Sequence, residues 1–108
     1  MGENIDKIAL TEAVYYILLS LYEPLHGYGI MQNVLMISNG RVNLAPGTLY
    51  GALTTLLEKG WIDSLNDIDS SRKKLYQITK QGKEVLKVEL ERLEELVNNG
   101  YKIVRGQV

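Results

Sequence analysis

Apolar positions recur at helical spacing in the first third of the chain. Ala9–Tyr22 is apolar around most of its circumference and contains Thr11, which is a suitable N-cap residue. A second helix is predicted over Tyr28–Ile37, and Pro24 separates the two because the residue before proline avoids the helical region. A helix that is apolar on nearly every side needs burial on two faces. The first helix therefore favours self-association of this small chain.

The segment from Leu44 to Leu57 predicts a third helix with one leucine stripe. Pro46 suits its first position, and Gly60 suits the left-handed residue that ends it. The stripe has helical spacing and consists of Leu49, Leu53, Leu56 and Leu57. The opposite face is small and polar, and it consists of Gly47, Gly51, Thr54 and Thr55, with no charge before Glu58. Such a face can approach a dense negative surface, as a helix in the major groove of DNA must.

The second half of the chain predicts a hairpin followed by a long helix. Trp61–Leu65 and Leu75–Ile78 alternate apolar and polar residues, and the polar residues 66–74 between them are predicted to form a loop. Thr79 is the predicted cap of the final helix. The apolar seam of this helix has heptad spacing and is the predicted dimerisation surface, formed by Leu86, Leu90, Leu93 and Val97.

This order of elements predicts a mainly α fold with a small β-hairpin. Three helices followed by two strands form a winged helix-turn-helix, which we assign to residues 1–78 as the DNA-binding domain. Residues 79–108 form the long C-terminal dimerisation helix, whose tail from Tyr101 is expected to fray. The hairpin is the wing of this fold.

Composition argues against an enzyme. The 108 residues include no cysteine and a single histidine, and no Gly-rich phosphate loop follows a strand. We therefore expect no cofactor and no metal site, and we expect His26 to cap the second helix or to contact the backbone there. The first residues lack a signal-peptide pattern, and the longest apolar run, Ala13–Leu21, is too short to span a bilayer. A cytoplasmic protein without a membrane partner is the expectation.

Positive charge is concentrated in the wing and the last third of the chain. The net charge is −1, but Arg72, Lys73 and Lys74 are consecutive at the end of the predicted wing loop. On a wing they would neutralise DNA phosphates. The alternative is an ordinary solvated run of charges.

Three segments together resemble the PadR family of bacterial transcriptional regulators. The resemblance runs from about Leu10 to Leu96, and its motifs are His-Gly-Tyr at 26–28, Pro-Gly-Thr-Leu-Tyr at 46–50 and Tyr-x-x-Thr-x-x-Gly at 76–82. The short chain resembles the compact branch of the family, which has a single C-terminal helix. The chain departs from the family pattern at Gly51, where a larger polar or basic residue is common.

The resemblance implies a homodimeric repressor of transcription. In the family the first and last helices form the dimer interface, the third helix enters the major groove, and the wing contacts the flanking backbone. Family members often respond to phenolic acids, drugs or other flat apolar compounds. For this chain we expect such an effector at the surplus apolar surface of the first helix, at Tyr15, Tyr16 and Leu19.

Further DNA contacts are expected around the third helix. Thr48 and Tyr50 flank its leucine stripe, and Tyr50 is equally suited to packing or to reading DNA. Arg41 and Asn43 precede the helix and are candidate phosphate contacts, whereas Tyr28 is expected to pack beneath it. The alternative function is a winged-helix module that binds proteins and not DNA, which the near-neutral net charge favours.

Overall fold

A computed structural model describes residues 9–67 and 70–106. In this described part the elements are α1 (Glu12–Ser20), α2 (Gly27–Ile37), α3 (Pro46–Lys59), β1 (Ile62–Asp67), β2 (Ser70–Ile78) and α4 (Lys80–Val104). The predicted fold class and the order of elements are confirmed. The first helix is shorter than predicted at both ends. None of the described helices is both long and apolar enough to cross a membrane.

The predicted helix ends are confirmed where local chemistry decides them. The Thr11 hydroxyl accepts a hydrogen bond from the backbone N–H of Val14 at 3.1 Å, and it begins α1. Pro46 is the first residue of α3, and Gly60 ends that helix at a φ of 77°. A side chain at such a φ is strained, so glycine suits this position.

One hydrophobic core joins all the elements. Its buried side chains come from α1, α2, α3, the base of the hairpin and the first turns of α4, and they are Ile17, Leu18, Leu21, Ile30, Val34, Leu49, Leu53, Leu56, Ile62, Tyr76, Ile78 and Leu86. The predicted stripe of α3 is buried except at Leu57, which is 37% exposed. Helix α3 is therefore held by one face, and its other face is open.

The wing is longer than the sequence pattern predicts. Most of the predicted loop 66–74 is strand, since β1 and β2 pair in register from Ile62 opposite Ile78 to Asn66 opposite Lys74. The register then shifts, and Asp67 lies opposite Ser70, which leaves residues 71–73 in an irregularity of β2. The pairing uses backbone groups, and a two-stranded ribbon outside the core needs no apolar alternation. The prediction of a loop was wrong for this reason.

Backbone hydrogen bonds fasten the wing to the helices. Leu25, which follows α1, exchanges two backbone hydrogen bonds with Tyr76 of β2, at 3.1 and 2.9 Å. The N–H of Ile78 donates to the carbonyl of Leu21 at 2.8 Å. The base of the wing thus has a fixed position relative to α1 and α2.

Helix α4 packs against the core only through its first turns. Its buried residues are Gly82, Val85, Leu86 and Glu89, and residues 94–106 are all exposed. The helix continues to Val104. The prediction that it frays from Tyr101 was therefore wrong for residues 101–104. Leu86 is 1% exposed within its own chain. This side chain has no surface to offer a partner, and the open part of the predicted seam begins at Leu90.

A buried carboxylate ties the start of α1 to α4. Glu89 is 3% exposed and accepts hydrogen bonds from Nε and Nη2 of Arg92, at 2.7 and 2.8 Å. It also accepts from the backbone N–H of Leu10 at 3.2 Å. The Arg92 hydrogen bonds hold the pKa of Glu89 below its ordinary value against the opposing effect of burial, and the Leu10 N–H adds to the lowering.

The start of α4 approaches the backbone of Trp61 too closely for any residue but glycine. A Cβ at Gly82 would lie 2.7 Å from a side-chain carbon of Ile78 and closer still to the carbonyl oxygen of Trp61. The hydroxyl of Thr79 accepts from the N–H of Gly82 at 3.0 Å and donates to the carbonyl of Gly60 at 2.7 Å. The Tyr-x-x-Thr-x-x-Gly motif therefore forms the junction of α3, the wing and α4.

We expect Gly82→Ala to lower the free energy of unfolding by more than about 1 kcal/mol, since a backbone carbonyl cannot move aside cheaply. Gly51→Ala is the matched control, because nothing lies within 4 Å of an added Cβ there. That control should be up to about 1 kcal/mol more stable than wild type through helix propensity. Urea unfolding of both variants measures this, and equal effects of the same sign would contradict it.

We expect Glu89→Gln to lower the free energy of unfolding at pH 7 by about 1.5–3 kcal/mol, the range for hydrogen bonds to charged groups. Because the pKa of Glu89 is lowered in the folded state, its stabilisation is complete above the unfolded pKa and is lost as pH falls through the folded pKa. The gap between wild type and variant should therefore close in acid. Melting curves across pH measure it, with the exposed Glu91→Gln as control. A gap that does not change with pH would contradict the assignment.

Candidate nucleic-acid interface

The open face of α3 carries every helix residue that the sequence assigned to DNA. Apart from the buried stripe and half-buried Ala52, the helix is exposed, and this exposed set includes Gly47, Thr48, Tyr50, Gly51, Thr54 and Thr55. The only charged residues of the helix are Glu58 and Lys59 at its end. The face can therefore approach a polyanion without repulsion, but it has no charged group for bidentate contact with bases.

Backbone donors are available at the start of α3. Ala45 occupies the N-cap position, and no side chain in the described part of the chain caps the helix there. The first N–H groups of a helix have no intrahelical acceptor. Gly47 and Thr48, which carry two of these N–H groups, are both exposed residues, an arrangement that suits a phosphate oxygen.

Thr54 and Thr55 of α3 donate their hydroxyl protons to their own helix. Thr54 donates to the carbonyl of Tyr50 at 2.9 Å, and Thr55 donates to the carbonyl of Gly51 at 3.3 Å. Each hydroxyl oxygen can still accept a hydrogen bond, and both residues are exposed. The face thus matches base amino groups and the methyl group of thymine.

Tyr50 packs against α2 and is also partly exposed to solvent. A Cβ added to Gly27 would lie 2.7 Å from Cζ of Tyr50, so the phenol ring rests on the backbone of α2 where glycine leaves room. Tyr50 is nevertheless 47% exposed. Tyr28 is 66% exposed, and the prediction that it packs beneath α3 was wrong. Its neighbour Gly27 takes that place because it has no side chain.

The two polar residues before α3 are both exposed. Arg41 forms an ion pair with Glu12 of α1, in which both side chains are largely solvated. Exposed pairs of this kind contribute about 0–1 kcal/mol, so a phosphate can displace the carboxylate at little cost. Asn43 lies in the extended segment that leads to Pro46.

The structure places the basic run on the wing. The backbone of Arg72 and Lys73 lies in the irregular part of β2, and their side chains fall outside the described part of the chain. Lys74 is exposed, and its carbonyl lies 3.1 Å from Nδ1 of His26. A carbonyl only accepts, so Nδ1 carries the proton in this contact. His26 thus contacts the backbone, but in the wing, and it makes no side-chain cap of α2.

Two glycines of α3 have no explanation within the chain. Gly47 and Gly51 are exposed, their φ angles are not in the left-handed region, and an added Cβ would meet nothing within 4 Å. Each lowers helix stability by about 1 kcal/mol relative to alanine. The absence of side chains at these positions leaves the backbone of α3 open to close approach from outside.

The open part of α4 presents an apolar stripe. Leu90 is 48% exposed, Val97 is 50% exposed, and Leu93 is half-buried. The stripe continues to Tyr101 and Val104, which the sequence analysis did not assign to it. These five residues, Leu90, Leu93, Val97, Tyr101 and Val104, are called the α4 seam below.

The three predicted effector residues lie together on α1. Tyr15 and Tyr16 meet edge to face with ring centroids 5.7 Å apart, and both rings and Leu19 are half-buried against the core. Burial is the main cause of a raised pKa of Tyr15. None of the three lines the cavity of about 430 Å³ that the structure shows between α1, α3 and α4.

The described residues contain no group of three or more His, Asp and Glu side chains placed to hold a metal ion. The site consists of backbone donors, hydroxyl groups, a tyrosine and wing cations. What such a surface can do is bind a phosphodiester backbone and touch base edges. It offers no nucleophile with an adjacent base.

Sequence comparison matches this chain to one family model. Residues 16–88 match the transcriptional regulator PadR-like family. The matched region contains α2, α3, the wing and most of α1. No curated protein sequence matches the chain.

Solved structures of transcriptional regulators share the fold. A transcriptional regulator from Clostridium thermocellum matches with a TM-score of 0.71 at 24% identity, over 86% of this chain and 89% of that one. A PadR family regulator from Eggerthella lenta matches at 0.65 and 25% identity, over 84% and 79% of the two chains. One from Clostridium difficile matches at 0.61 and 26% identity, over 82% and 96%. The first likeness shows the fold alone.

Proposed function

The chain belongs to the PadR-like family of transcriptional regulators, and we propose that it is a homodimeric repressor that binds double-stranded operator DNA and is released by a small planar hydrophobic effector. The observation that carries the DNA proposal is the open face of α3. It is free of charge up to Glu58, and an added Cβ at Gly47 or Gly51 would meet nothing within 4 Å, so the helix backbone is open to close approach.

The proposed DNA contacts are of two kinds, those to phosphates and those to bases. In this proposal phosphates are contacted by the N–H groups at Gly47 and Thr48 and by the cations Arg41 and Lys74. Asn43, Arg72 and Lys73, beside them in the sequence, add further phosphate contacts. Thr54, Thr55 and Tyr50 reach bases in the major groove, and Gly51 lets the helix approach closely. Contacts to phosphate fix orientation, whereas contacts to base edges carry sequence information.

Direct reading of bases by α3 is sparse in this proposal. Residues 46–57 contain no Arg, Lys, Asn or Gln, the side chains that make bidentate contacts with guanine or adenine. Specificity then depends partly on the shape and deformability of the operator. A wing cation in a narrow minor groove is one way to read that shape.

The α4 seam is the proposed dimer interface, together with the half-buried flank of α1. Leu90, Leu93 and Val97 belong to the seam predicted from the sequence, and Leu86 is excluded by its burial in the core. A two-fold dimer presents two copies of α3 to DNA, and successive major grooves on one side of the duplex are about 34 Å apart. An effector that changes the angle between protomers would change this separation and release the DNA.

A protein-interaction module that does not bind DNA is the second candidate. The net charge of −1 favours it, because domains that bind nucleic acid often carry a basic excess. Its surface would be the same uncharged face of α3. Binding to DNA separates the two candidates.

We expect the protein to retain the DNA fragment upstream of its own gene in a gel-shift assay, with affinity falling as salt rises. Lys74→Ala should weaken binding to all fragments and reduce the salt slope by about one, because one phosphate contact is lost. Lys102→Ala, at the far end of α4, is the matched control and should leave the slope unchanged. Failure to retain any fragment in dilute buffer would favour the protein-interaction module.

We expect sedimentation to show a dimer at micromolar concentration. Val97→Glu should shift the protein towards monomer, since it places a charge in the α4 seam. Asn99→Glu lies on the opposite side of the same exposed helix and should leave the dimer intact. A wild-type monomer, or equal behaviour of the two variants, would contradict the interface.

A further inference from the structure

One edge of β2 is fastened to the helices by a row of backbone groups. In a strand, alternate residues turn their N–H and C=O groups towards the same edge, and the residues between them turn theirs to the other edge. The N–H of Ile78 donates to the carbonyl of Leu21, and Tyr76 exchanges two hydrogen bonds with Leu25. The row therefore uses every second residue of β2 and lies on the edge opposite to β1.

A side chain supplies the next contact of this row. The following residue on the same edge is Lys74, whose carbonyl lies 3.1 Å from Nδ1 of His26. The chain turns into α2 at Gly27 and leaves the strand edge there, so the imidazole takes the place of a backbone donor. Residue 74 is about 7 Å farther along the strand than residue 76. Among the described hydrogen bonds between the helices and β2, this one lies farthest from the core.

This contact lies next to the basic run of the wing. Lys74 is the last of the three consecutive cations that begin at Arg72. It also pairs with Asn66, immediately before the register of the hairpin shifts. The hydrogen bond from His26 therefore acts on the backbone of the wing beside the side chains that would meet phosphates.

The residue after His26 locates α3. A Cβ at Gly27 would lie 2.7 Å from Cζ of Tyr50, so the ring of Tyr50 rests on the backbone of Gly27. Because His26 and Gly27 are consecutive, the wing and α3 are both located against the same short piece of chain. Contacts to phosphate fix the orientation of a protein on DNA, so a wing and a groove helix that bind one duplex need a constant separation.

We propose that His26 is a positioning residue, which sets the place of the wing relative to α3 by donating from Nδ1 to the carbonyl of Lys74. It acts through Lys74 and not by touching DNA. The proposal rests on the proposed function, since it requires that the wing and α3 bind one duplex. The His-Gly-Tyr motif at 26–28 then begins with a donor for the wing, followed by a residue whose lack of a side chain makes room for α3.

The tautomer of the histidine tests the contact without DNA. His26 is the only histidine of the chain, so the ring signals in a nitrogen NMR spectrum of labelled protein belong to it alone. The spectrum is recorded at a pH above which the ring signals no longer change. We expect the proton on Nδ1, because the carbonyl of Lys74 requires a donor. A proton on Nε2 would overturn the hydrogen bond.

Two variants of similar size test the role in DNA binding. His26→Leu removes the donor, whereas His26→Asn keeps an N–H donor near the position of Nδ1. In the gel-shift assay His26→Leu should weaken binding by about tenfold. It should also lower the salt slope by about one or more, because wing contacts to phosphate are lost. His26→Asn should recover most of both, and melting curves show that each variant is folded. Wild-type affinity and slope in His26→Leu, or equal losses in the two variants, would overturn the positioning role.

A double-mutant cycle separates positioning from general damage. In a protein that already carries Arg72→Ala, Lys73→Ala and Lys74→Ala, His26→Leu should change DNA affinity at low salt by less than about twofold, because no wing cation is left to position. A tenfold loss in that background would overturn the proposal. If wild-type protein retains no DNA but carries the proton on Nδ1, the proposed function is overturned and the contact between His26 and the wing stands.

Discussion

The close contact between Gly82 and the backbone of Trp61 is the constraint on which the arrangement of this protein depends. At this point α3 has just ended, the wing begins and ends, and α4 starts. The hydroxyl of Thr79 bridges the carbonyl of Gly60 and the N–H of Gly82, and the N–H of Thr79 donates to the carbonyl of Trp61 at 3.0 Å. The orientations of recognition helix, wing and long helix are thereby fixed by a few backbone groups. A side chain at position 82 would separate them.

The surface that faces DNA in the proposed function combines weak elements. Its helix carries no charge before Glu58, its basic run lies on the wing, and Arg41 is paired with Glu12. Such a surface gains affinity mainly from phosphates and discriminates through close fit, for which small side chains are an advantage. DNA binding by α3 would therefore depend on how the helix packs on the core. A helix that relies on shape complementarity loses its contacts when its angle changes.

Features that depend on neighbours in the sequence could be predicted, and those that depend on distant contacts could not. The caps at Thr11 and Thr79 and the left-handed Gly60 follow from local chemistry, and the open face of α3 follows from helical spacing. The contact of Tyr50 with Gly27 and the hydrogen bond from Leu10 to Glu89, 79 positions apart, have no local signal. The strands of the wing are longer than predicted, because hydrogen bonds between two backbones do not require a pattern of apolar and polar side chains. The DNA-binding roles of individual residues stay predictions.

The order of the exposed end of α4 is linked to the concentration of the protein. Residues 94–104 are helical yet exposed throughout, and a helix of this length is marginal in water by itself. If copies of the chain cover this end, the order of the helix becomes a function of protein concentration through mass action. At low abundance the end would unravel and become accessible to proteases, whereas at high abundance it would be protected. Expression level would then set the lifetime of the regulator as well as its occupancy of the operator.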